Sequence, residues 1–285
     1  MKKRPRFCDA FSRRKALFTV GLIMVAIIAF FTVFGPLIWN ADPIAVNYNE
    51  QCLPPSAEHW FGTDNNGRDV FIRVLNGAHI SIGVALAVVL IGAVIGVAVG
   101  IVAGFAGGAV DSILMRIVEI MLSFPGTIFA LAVLGTLGNG IWNQIVALSF
   151  VRWAHYARLV RVETLTVVNS EYLTASRAMG NSRWRIIWRY ILPNIIGRVV
   201  VIATLSIGPV ILAGASLSYL GLGAQIPSPE WGLMINGGKD YLRDAPWMTL
   251  APGLAAVFSV FAFNLLGEGI SDLIDPRLKE KAEVD

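Results

Sequence analysis

Residues with the chemistry of catalysis are few in this chain and do not stand at productive spacings. The three histidines, His59, His79 and His155, are scattered and form no HExxH-type pair that could hold a catalytic zinc. The stretch GASLS around Ser216 lacks the closing glycine of a nucleophile elbow. In GLMINGGKD, Lys239 comes one residue late for a phosphate-binding loop. We therefore expect no catalysis, no metal site and no cofactor bound by this chain.

The composition places the chain in a membrane. Hydrophobic residues make up 55% of it and charged residues only 15%, with a mean hydropathy of +0.65, whereas soluble domains carry about 25% charged residues. The apolar residues come in runs long enough to cross a bilayer. The net charge of +4 comes from basic residues beside these runs, which membrane topology explains better than nucleic-acid binding. We expect an all-α polytopic membrane protein.

Six apolar segments are candidate transmembrane helices. The first follows a basic N-terminus as a signal peptide would, but it is too long and no small-x-small cleavage site follows, so we expect it to stay uncleaved. The fourth is the weakest, because Asn143 and Gln144 shorten its apolar part. The six predicted spans are Ala16–Trp39, Ile80–Phe105, Ser112–Leu137, Ile141–Tyr156, Ile195–Leu222 and Met248–Gly269.

The distribution of Lys and Arg favours six crossings with both termini in the cytoplasm, because loops rich in these residues stay on that side. Seven basic residues precede Leu17, eight lie between Arg152 and Arg198, and three follow in the tail, all on the inside. Without the fourth crossing, the group of eight would lie outside. The external loops, at Asn40–His79 and Gly223–Trp247, hold only four basic residues. These are Arg68, Arg73, Lys239 and Arg243.

Glycines recur every fourth residue in and after the second span, at Gly92, Gly96, Gly100, Gly104 and Gly108. This spacing aligns them along one stripe of a helix, where missing side chains let another helix approach closely. We expect tight packing within the bundle, with a moving helix contact as the alternative.

Charged residues fall at the ends of the predicted spans and not at their centres. Asp111, Arg116 and Glu119 stand at the cytoplasmic start of the third span, and Glu268 and Asp272 at the end of the sixth. Arg116 and Glu119 are three residues apart and can pair. An ion-coupled carrier would require a mid-span carboxylate, so we expect these charges to form structural pairs.

The internal stretch EYLTASRAMGNSRWRIIWRYILPN (Glu171–Asn194) predicts two short helices that meet at a bend. Asn169 or Ser170 would cap the first helix, Gly180-Asn181-Ser182 would interrupt it, and Pro193 would end the second. An interfacial amphipathic helix explains the mixture of Arg and Trp in the second helix. A surface that fits a partner's groove also explains the bend and the small face of the first helix. That face is Tyr172, Ala175, Ser176 and Met179.

The motif Thr174-Ala175-Ser176-x-x-x-Gly180, followed twelve residues later by Leu192-Pro193, resembles the EAA loop of permease subunits in bacterial ABC importers. In that family the loop forms the coupling helix that docks on the cytosolic ATPase. Thr174, Ser176 and Tyr190 replace the Glu, the second Ala and the Ile of the consensus. The resemblance implies an ATPase-coupling site at Glu171, Thr174, Ala175, Ser176, Gly180, Arg185, Leu192 and Pro193.

Four further stretches, in order along the chain, resemble the C-type permease of the peptide/nickel class. They are HWFGTDNNGRDVFIRVLNGAHISI, GGAVDSILMRIVEIMLSFP, LSYLGLGAQIPSPEWGLMI and AFNLLGEGISDLIDPRLK. The resemblance implies a type I ABC importer transmembrane-domain fold in the bacterial cytoplasmic membrane. It divides the chain into residues 1–79 (N-terminal cytoplasmic segment, first helix and external loop) and a core permease domain, residues 80–285, with a coupling loop at residues 161–194.

The same resemblance implies partners and a mechanism. The partners are a homologous B-type permease, two cytosolic ATPases that bind ATP and Mg²⁺, an extracytoplasmic solute-binding protein and membrane lipid. ATP would close the ATPases, draw the coupling helices together and open the bundle outward to the loaded binding protein. Di- or oligopeptides are the expected substrates. The alternative substrate is nickel or a metal chelate, because RWAHYARLVR and WGLMINGGKDYL look closer to nickel-type members. A further alternative is that the protein is an autonomous secondary carrier.

The polar, turn-rich stretches GTDNNGRD and PSPEWG belong to the external side, which no ATPase reaches. We expect Asp64, Arg68, Asp69, Glu230 and Trp231 to dock the binding protein. The alternative is that Asp64 and Arg68 only fold the loop through side-chain hydrogen bonds.

Overall fold

The computed structural model describes residues 7–274, and within this range the regular structure is helical, with a single isolated β-bridge between Thr63 and Asp69. Ten α-helices follow one another within these residues. They are α1 (Phe7–Ile38), α2 (Val70–Ala106), α3 (Gly108–Ser123), α4 (Gly126–Leu137), α5 (Ile141–Val168), α6 (Glu171–Ala178), α7 (Arg183–Ile186), α8 (Leu192–Tyr219), α9 (Trp231–Gly238) and α10 (Trp247–Ile274). Short 3₁₀ turns lie at Tyr48–Glu50 and Lys239–Tyr241, and a π-helical turn at Ile187–Ile191 joins α7 to α8.

Four of the described helical segments are long and apolar enough to cross a membrane: Ala16–Ile38, Val70–Ala106, Arg183–Tyr219 and Trp247–Ile274. The pair α3 and α4 would supply a fifth crossing as a bent unit. The predicted fourth span begins α5 as expected, but α5 runs on to Val168 through several charged residues and does not qualify by hydropathy. The total of six crossings therefore stays a prediction.

The third span is not the continuous helix predicted over Ser112–Leu137. It is broken at Phe124-Pro125, where α3 and α4 meet at 90°. Phe124 is extended, with φ −94° and ψ 139°, because a following proline disfavours the helical conformation. Pro125 also lacks the backbone N–H that would continue the ladder.

Four of the five predicted glycines form the contact between α2 and α5. Gly92, Gly96, Gly100 and Gly104 are buried against α5 along its residues 152–164. The inclusion of Gly108 was wrong, because the helix ends at Gly107 and Gly108 begins α3 with φ +54° and open space around it. Helix α2 thus approaches both the backbone and the Cβ atoms of α5 closely, because the glycines place no side chains between the two helices on the α2 side.

The external loops are shorter than predicted, since both contain helix. Residues Val70–His79, assigned to the first loop, are the start of α2, which Asp69 caps by accepting a hydrogen bond from Ile72 N at 3.0 Å. The second loop contains α9, which packs against α8 and α10. The main apolar core lies under these loops, between α2, α4, α5, α8 and α10.

Candidate functional site

A second, smaller core fixes the predicted coupling loop to one end of the bundle. Leu173 of α6 and Ile186 of α7 are buried with Val160 and Val167 of α5 and Ile195 of α8. The loop is therefore anchored from within by apolar contact.

Ser176 belongs to the inside of the loop, so its assignment to the exposed face of the first helix was wrong. It is 1% exposed, and its Oγ accepts a hydrogen bond from Asn181 Nδ2 at 2.9 Å. Its carbonyl oxygen accepts from both Asn181 N and Asn181 Nδ2. Asn181, which sequence analysis treated only as part of the bend, thus clamps the C-terminal end of α6. An Asn directly after a helix-ending Gly was the available signal.

The predicted bend is present at Gly180. This residue has φ +77°, a left-handed conformation that glycine adopts at little cost, and nothing lies within 4 Å of the position of an added Cβ. Ser182 then begins α7 and accepts a hydrogen bond from Arg185 N at 3.4 Å. Arg185 Nη1 in turn donates to Asn181 Oδ1 at 3.2 Å, which ties α7 to the clamp on α6.

Pro193 does not end the second helix of the loop, contrary to the prediction. The chain from Arg183 to Tyr219 is one continuous helical segment, in which a π turn at Ile187–Ile191 comes just before Leu192-Pro193. The wider turn is the kind of local irregularity by which helices accommodate a proline ring and its missing N–H. As a result, α7 is joined to the membrane-spanning α8 without a loop.

The outer face of α6 (Tyr172, Ala175 and Met179) is exposed, and Met179 retains 73% of its accessible surface. Glu171 and Thr174 are also exposed at the start of the helix. Arg177 lies over the Phe105 ring at 5.5 Å, a cation–π contact that joins α6 to the end of α2. A shallow, nearly uncharged face with a methionine at its tip is suited to insertion into a groove.

Ion pairs tie the helices together near the predicted coupling loop. Arg161 of α5 donates through Nε and Nη2 to the two carboxylate oxygens of Asp111 on α3, each at 2.5 Å. Arg198 of α8 pairs with Glu163 of α5 at 3.3 Å. The predicted pair of Arg116 and Glu119 is confirmed at 3.4 Å, and both side chains are largely exposed.

On the external side, Asp64 organises its own loop. Its Oδ1 accepts hydrogen bonds from Asn66 N at 2.8 Å and Arg68 N at 3.0 Å, and its Oδ2 accepts from Arg68 Nε at 2.7 Å. Arg73, buried at the start of α2, approaches the same oxygen at 3.5 Å and donates to Pro43 O at 2.7 Å. This geometry matches the alternative in which Asp64 and Arg68 fold the loop.

Glu230 and Trp231 are likewise internal, with exposures of 3% and 2%. Glu230 caps α9 by accepting from Leu233 N at 2.8 Å, and it accepts from Ser81 Oγ of α2 at 3.1 Å. Trp231 donates from Nε1 to Val74 O at 3.0 Å. Burial raises the pKa of the Glu230 carboxyl, although its hydrogen bonds oppose the shift. Ser81, near the end of the first quoted stretch, is the partner that sequence analysis missed.

Asp69, the last of the five residues predicted to dock the binding protein, also makes contacts within the fold. Besides capping α2, its Oδ2 lies 2.8 Å from His59 Nδ1. All five residues predicted to dock a binding protein therefore make contacts within the external loops or with α2 and α9. The docking role itself stays a prediction. Among residues 7–274, the His, Cys, Asp and Glu side chains form no group of three or more that could hold a metal ion.

The fold, with its broken third span, glycine-lined helix pair and anchored internal loop, is that of the transmembrane domain of a type I ABC transporter. The fold agrees with the solved structure described as inward-facing conformations of the MetNI methionine ABC transporter, in its CY5 native crystal form. The TM-score is 0.60 at 20% identity, and the match covers 72% of this chain and 97% of that one.

The chain belongs to the family of binding-protein-dependent transport system inner membrane components, whose model matches residues 96–280. Residues 11–55 match the N-terminal transmembrane domain of oligopeptide transport permease C. It is a multi-pass inner-membrane permease subunit and not itself a catalyst. The alternative of an autonomous secondary carrier is therefore wrong.

Three curated relatives extend over most of the chain. The dipeptide transport system permease protein DppC of Alkalihalophilus pseudofirmus is 38% identical over 94% of this chain and 88% of its own length. The probable D,D-dipeptide transport system permease protein DdpC of Escherichia coli K12 is 41% identical over 92% and 88%. The glutathione transport system permease protein GsiD of Shigella flexneri is 44% identical over 93% and 86%.

Proposed function

We propose that this chain is the C-type permease subunit of an ATP-driven importer that carries di- and oligopeptides across the cytoplasmic membrane by alternating access. One observation carries the substrate class. Relatives that match more than nine-tenths of the chain are named for dipeptides, D,D-dipeptides and glutathione, which is itself a tripeptide. No relative among these is named for nickel, and no metal-binding group on the described residues favours it.

The proposed partners are a B-type permease, with which the chain forms a heterodimer, two cytosolic ATPases and an external solute-binding protein. ATP and Mg²⁺ would be bound by the ATPases. Both termini would lie in the cytoplasm, which accounts for the asymmetry of Lys and Arg. A cysteine at Ser182 should resist a membrane-impermeant thiol reagent in sealed cells while one at Asn65 reacts; labelling at Ser182 would reverse this orientation. A cysteine at Lys279, predicted to behave like Ser182, falls outside the described residues.

The outer face of α6 is the proposed contact with an ATPase, and three features support a role in transmission. The Ser176–Asn181 clamp fixes the end of α6 to the bend, and Arg185 ties the bend to α7. From α7 the helix continues through Leu192-Pro193 into α8. A displacement of α6 would thereby be passed to α8 along hydrogen-bonded backbone, and to α5 through the buried Leu173.

The external loops are the proposed docking surface for the binding protein, with buried residues that support the surface and exposed residues that make the contact. Asp64, Arg68, Asp69, Glu230 and Trp231 would support the surface from inside. Exposed neighbours would make the contact, among them Tyr48 (70% exposed) and Ile226 (80% exposed). Tyr48→Ala and Ile226→Ser should weaken stimulation of ATP hydrolysis by the loaded binding protein and leave basal hydrolysis and thermal stability unchanged. Full stimulation with both variants would exclude these residues from the surface.

Genetics in the source bacterium tests the substrate class. A deletion strain that also requires leucine should fail to grow on leucine-containing dipeptides and tripeptides but grow on free leucine, and the intact gene should restore growth. The same strain should take up nickel normally. Normal peptide-dependent growth, in a strain with no second peptide importer, combined with lost nickel uptake would replace the proposal with its alternative.

A further inference from the structure

Helix α1 changes partner as it crosses the membrane. In its cytoplasmic half it packs on α10 so closely that an added Cβ at Gly21 would stand 2.5 Å from Leu266 N. In its external half it contacts α2 instead, where Gly35 faces Leu75 and the Trp39 ring lies 5.2 Å from the Phe71 ring. α1 and α10 therefore diverge toward the external side.

The divergence leaves a cleft of about 680 Å³ between α1, α2 and α10. Val74, Leu75 and Ala78 of α2 form its back. Its roof comes from the external loops, with Phe61 and Trp247, and the indole N–H of Trp247 donates to Thr63 O at 3.0 Å. The roof is thus a fixed part of the fold.

The depth of the cleft corresponds to one leaflet. Its lining on α10 runs from Trp247 to Ser259, which at about 1.5 Å per residue is about 18 Å. One leaflet contributes about 15 Å of hydrocarbon. Trp247 begins α10, and the orientation proposed above places this end of the helix outside, so the cleft lies at the level of the outer leaflet.

The lining suits hydrocarbon and little else. It contains no charged side chain. Its hydroxyls are those of Thr32 and Ser259, of which Ser259 donates to Ala255 O in its own helix, and the indole N–H groups of Trp231 and Trp247 are bonded to backbone carbonyls. Leu250, Leu254 and Phe258 are exposed along its length. A peptide would leave its backbone groups without hydrogen-bond partners here.

The depth of the cleft distinguishes between the two apolar occupants that a bilayer offers. A helix that spans the hydrocarbon core is about 30 Å long, whereas the lining on α10 extends over about 18 Å. Below the cleft, α1 packs directly on α10 at Gly21, so a spanning helix of the partner permease could not follow the cleft across the membrane. An acyl chain is narrow and flexible enough to lie along its whole depth. An empty cleft would forfeit the dispersion contacts of its lining.

We propose that this cleft is a binding site for one acyl chain of an outer-leaflet phospholipid. Phe61 and Trp247, which close the top of the cleft, limit how far the acyl chain can extend. Because the lining carries no charge, the site does not discriminate between phospholipid headgroups. The acyl chain acts as a wedge that holds α1 apart from α10 under the external loops.

The direct test is a cryo-EM structure of the complete complex in nanodiscs of dioleoyl-phosphatidylethanolamine and dioleoyl-phosphatidylglycerol. The proposal predicts a continuous rod of density along α10 from Leu250 to Phe258. An empty cleft, or a helix of the partner permease lying in it, would overturn the proposal.

A matched pair of variants adds a measurement in solution. Ala255→Phe would fill the cleft, whereas Ala29→Phe adds the same ring to an exposed position on α1 outside the lining. Adding either phospholipid back to delipidated complex in detergent should raise the Tm of the unmodified protein and of Ala29→Phe. Ala255→Phe should lose most of this shift. An undiminished shift in Ala255→Phe, at normal assembly, would contradict the site.

Discussion

Gly96 of α2 lies against the backbone of α5 at Trp153, so that an added Cβ would stand 2.6 Å from the Trp153 carbonyl oxygen. Gly100 repeats this relationship one turn later, with the Ala157 carbonyl oxygen at 2.7 Å. Gly83, on the same helix, has nothing within 4 Å. Gly96 and Gly83 therefore lie on the same helix but differ in packing: Gly96 contacts α5, and Gly83 has open space around it.

This difference predicts opposite effects of the same substitution. Gly96→Ala should destabilise the subunit by about 1–3 kcal/mol, because the added methyl group overpacks a backbone contact. Gly83→Ala should stabilise it by up to about 1 kcal/mol through helix propensity. Thermal unfolding of the purified complex measures both. Equal shifts of the two variants would mean that α2 and α5 are not in backbone contact.

Gly180 tests the coupling loop. Gly180→Asn should keep uptake near normal, because asparagine tolerates the left-handed conformation that φ +77° requires. Gly180→Arg fits the open space around the isolated chain, but it would obstruct an ATPase that closes over the bend. We expect normal membrane levels, lost uptake and loss of the ATPases on purification.

The control for this variant is Gly138→Arg. Gly138 also has a positive φ, +83°, and open space around it, but it ends α4 outside the coupling loop. It bears the same backbone strain of about 1–2 kcal/mol without the proposed contact. Uptake by Gly180→Arg equal to that of Gly138→Arg would remove the bend from the coupling surface.

The buried carboxyl of Glu230 leads us to expect that the local stability of α9 depends on pH. Burial raises its folded-state pKa, so its contribution to stability is present below the unfolded pKa and is lost as the pH rises through the raised folded value. Hydrogen exchange of α9 should therefore accelerate with pH beyond the intrinsic rate. Glu230→Gln should flatten this profile, and Glu58→Gln, at an exposed position, should not. An unchanged profile in Glu230→Gln would exclude its carboxyl as the cause.

The spans and the bend of the coupling loop could be predicted because their signals are local. Hydropathy located α1, α2, α8 and α10, and Gly180 marked a left-handed position. The break at Pro125 was also available locally, and it was missed because hydropathy continues unchanged through it. The expectation that Pro193 ends a helix was wrong, because a π turn before it keeps the helix continuous.

Burial of polar residues could not be predicted in this way. Ser176 occupies an exposed-looking helix position until Asn181 folds back onto it. Glu230 stands in a turn-rich segment, and its partner Ser81 is 149 residues away. The contact of Glu230 arises from tertiary packing, for which a motif carries no signal. The contact of Ser176 is local, and the asparagine after Gly180 was its signal in the sequence.

ATP-dependent peptide uptake is the most direct test of the central claim, that this chain is the permease of a short-peptide importer. The chain, its B-type partner, both ATPases and the binding protein would be reconstituted in proteoliposomes with ATP and Mg²⁺ inside. A radiolabelled dipeptide, supplied outside with the binding protein, should accumulate above its external concentration, and Gly180→Arg in this chain should abolish the accumulation. Accumulation of nickel but of no di-, tri- or oligopeptide, by the same active complex, would contradict the account.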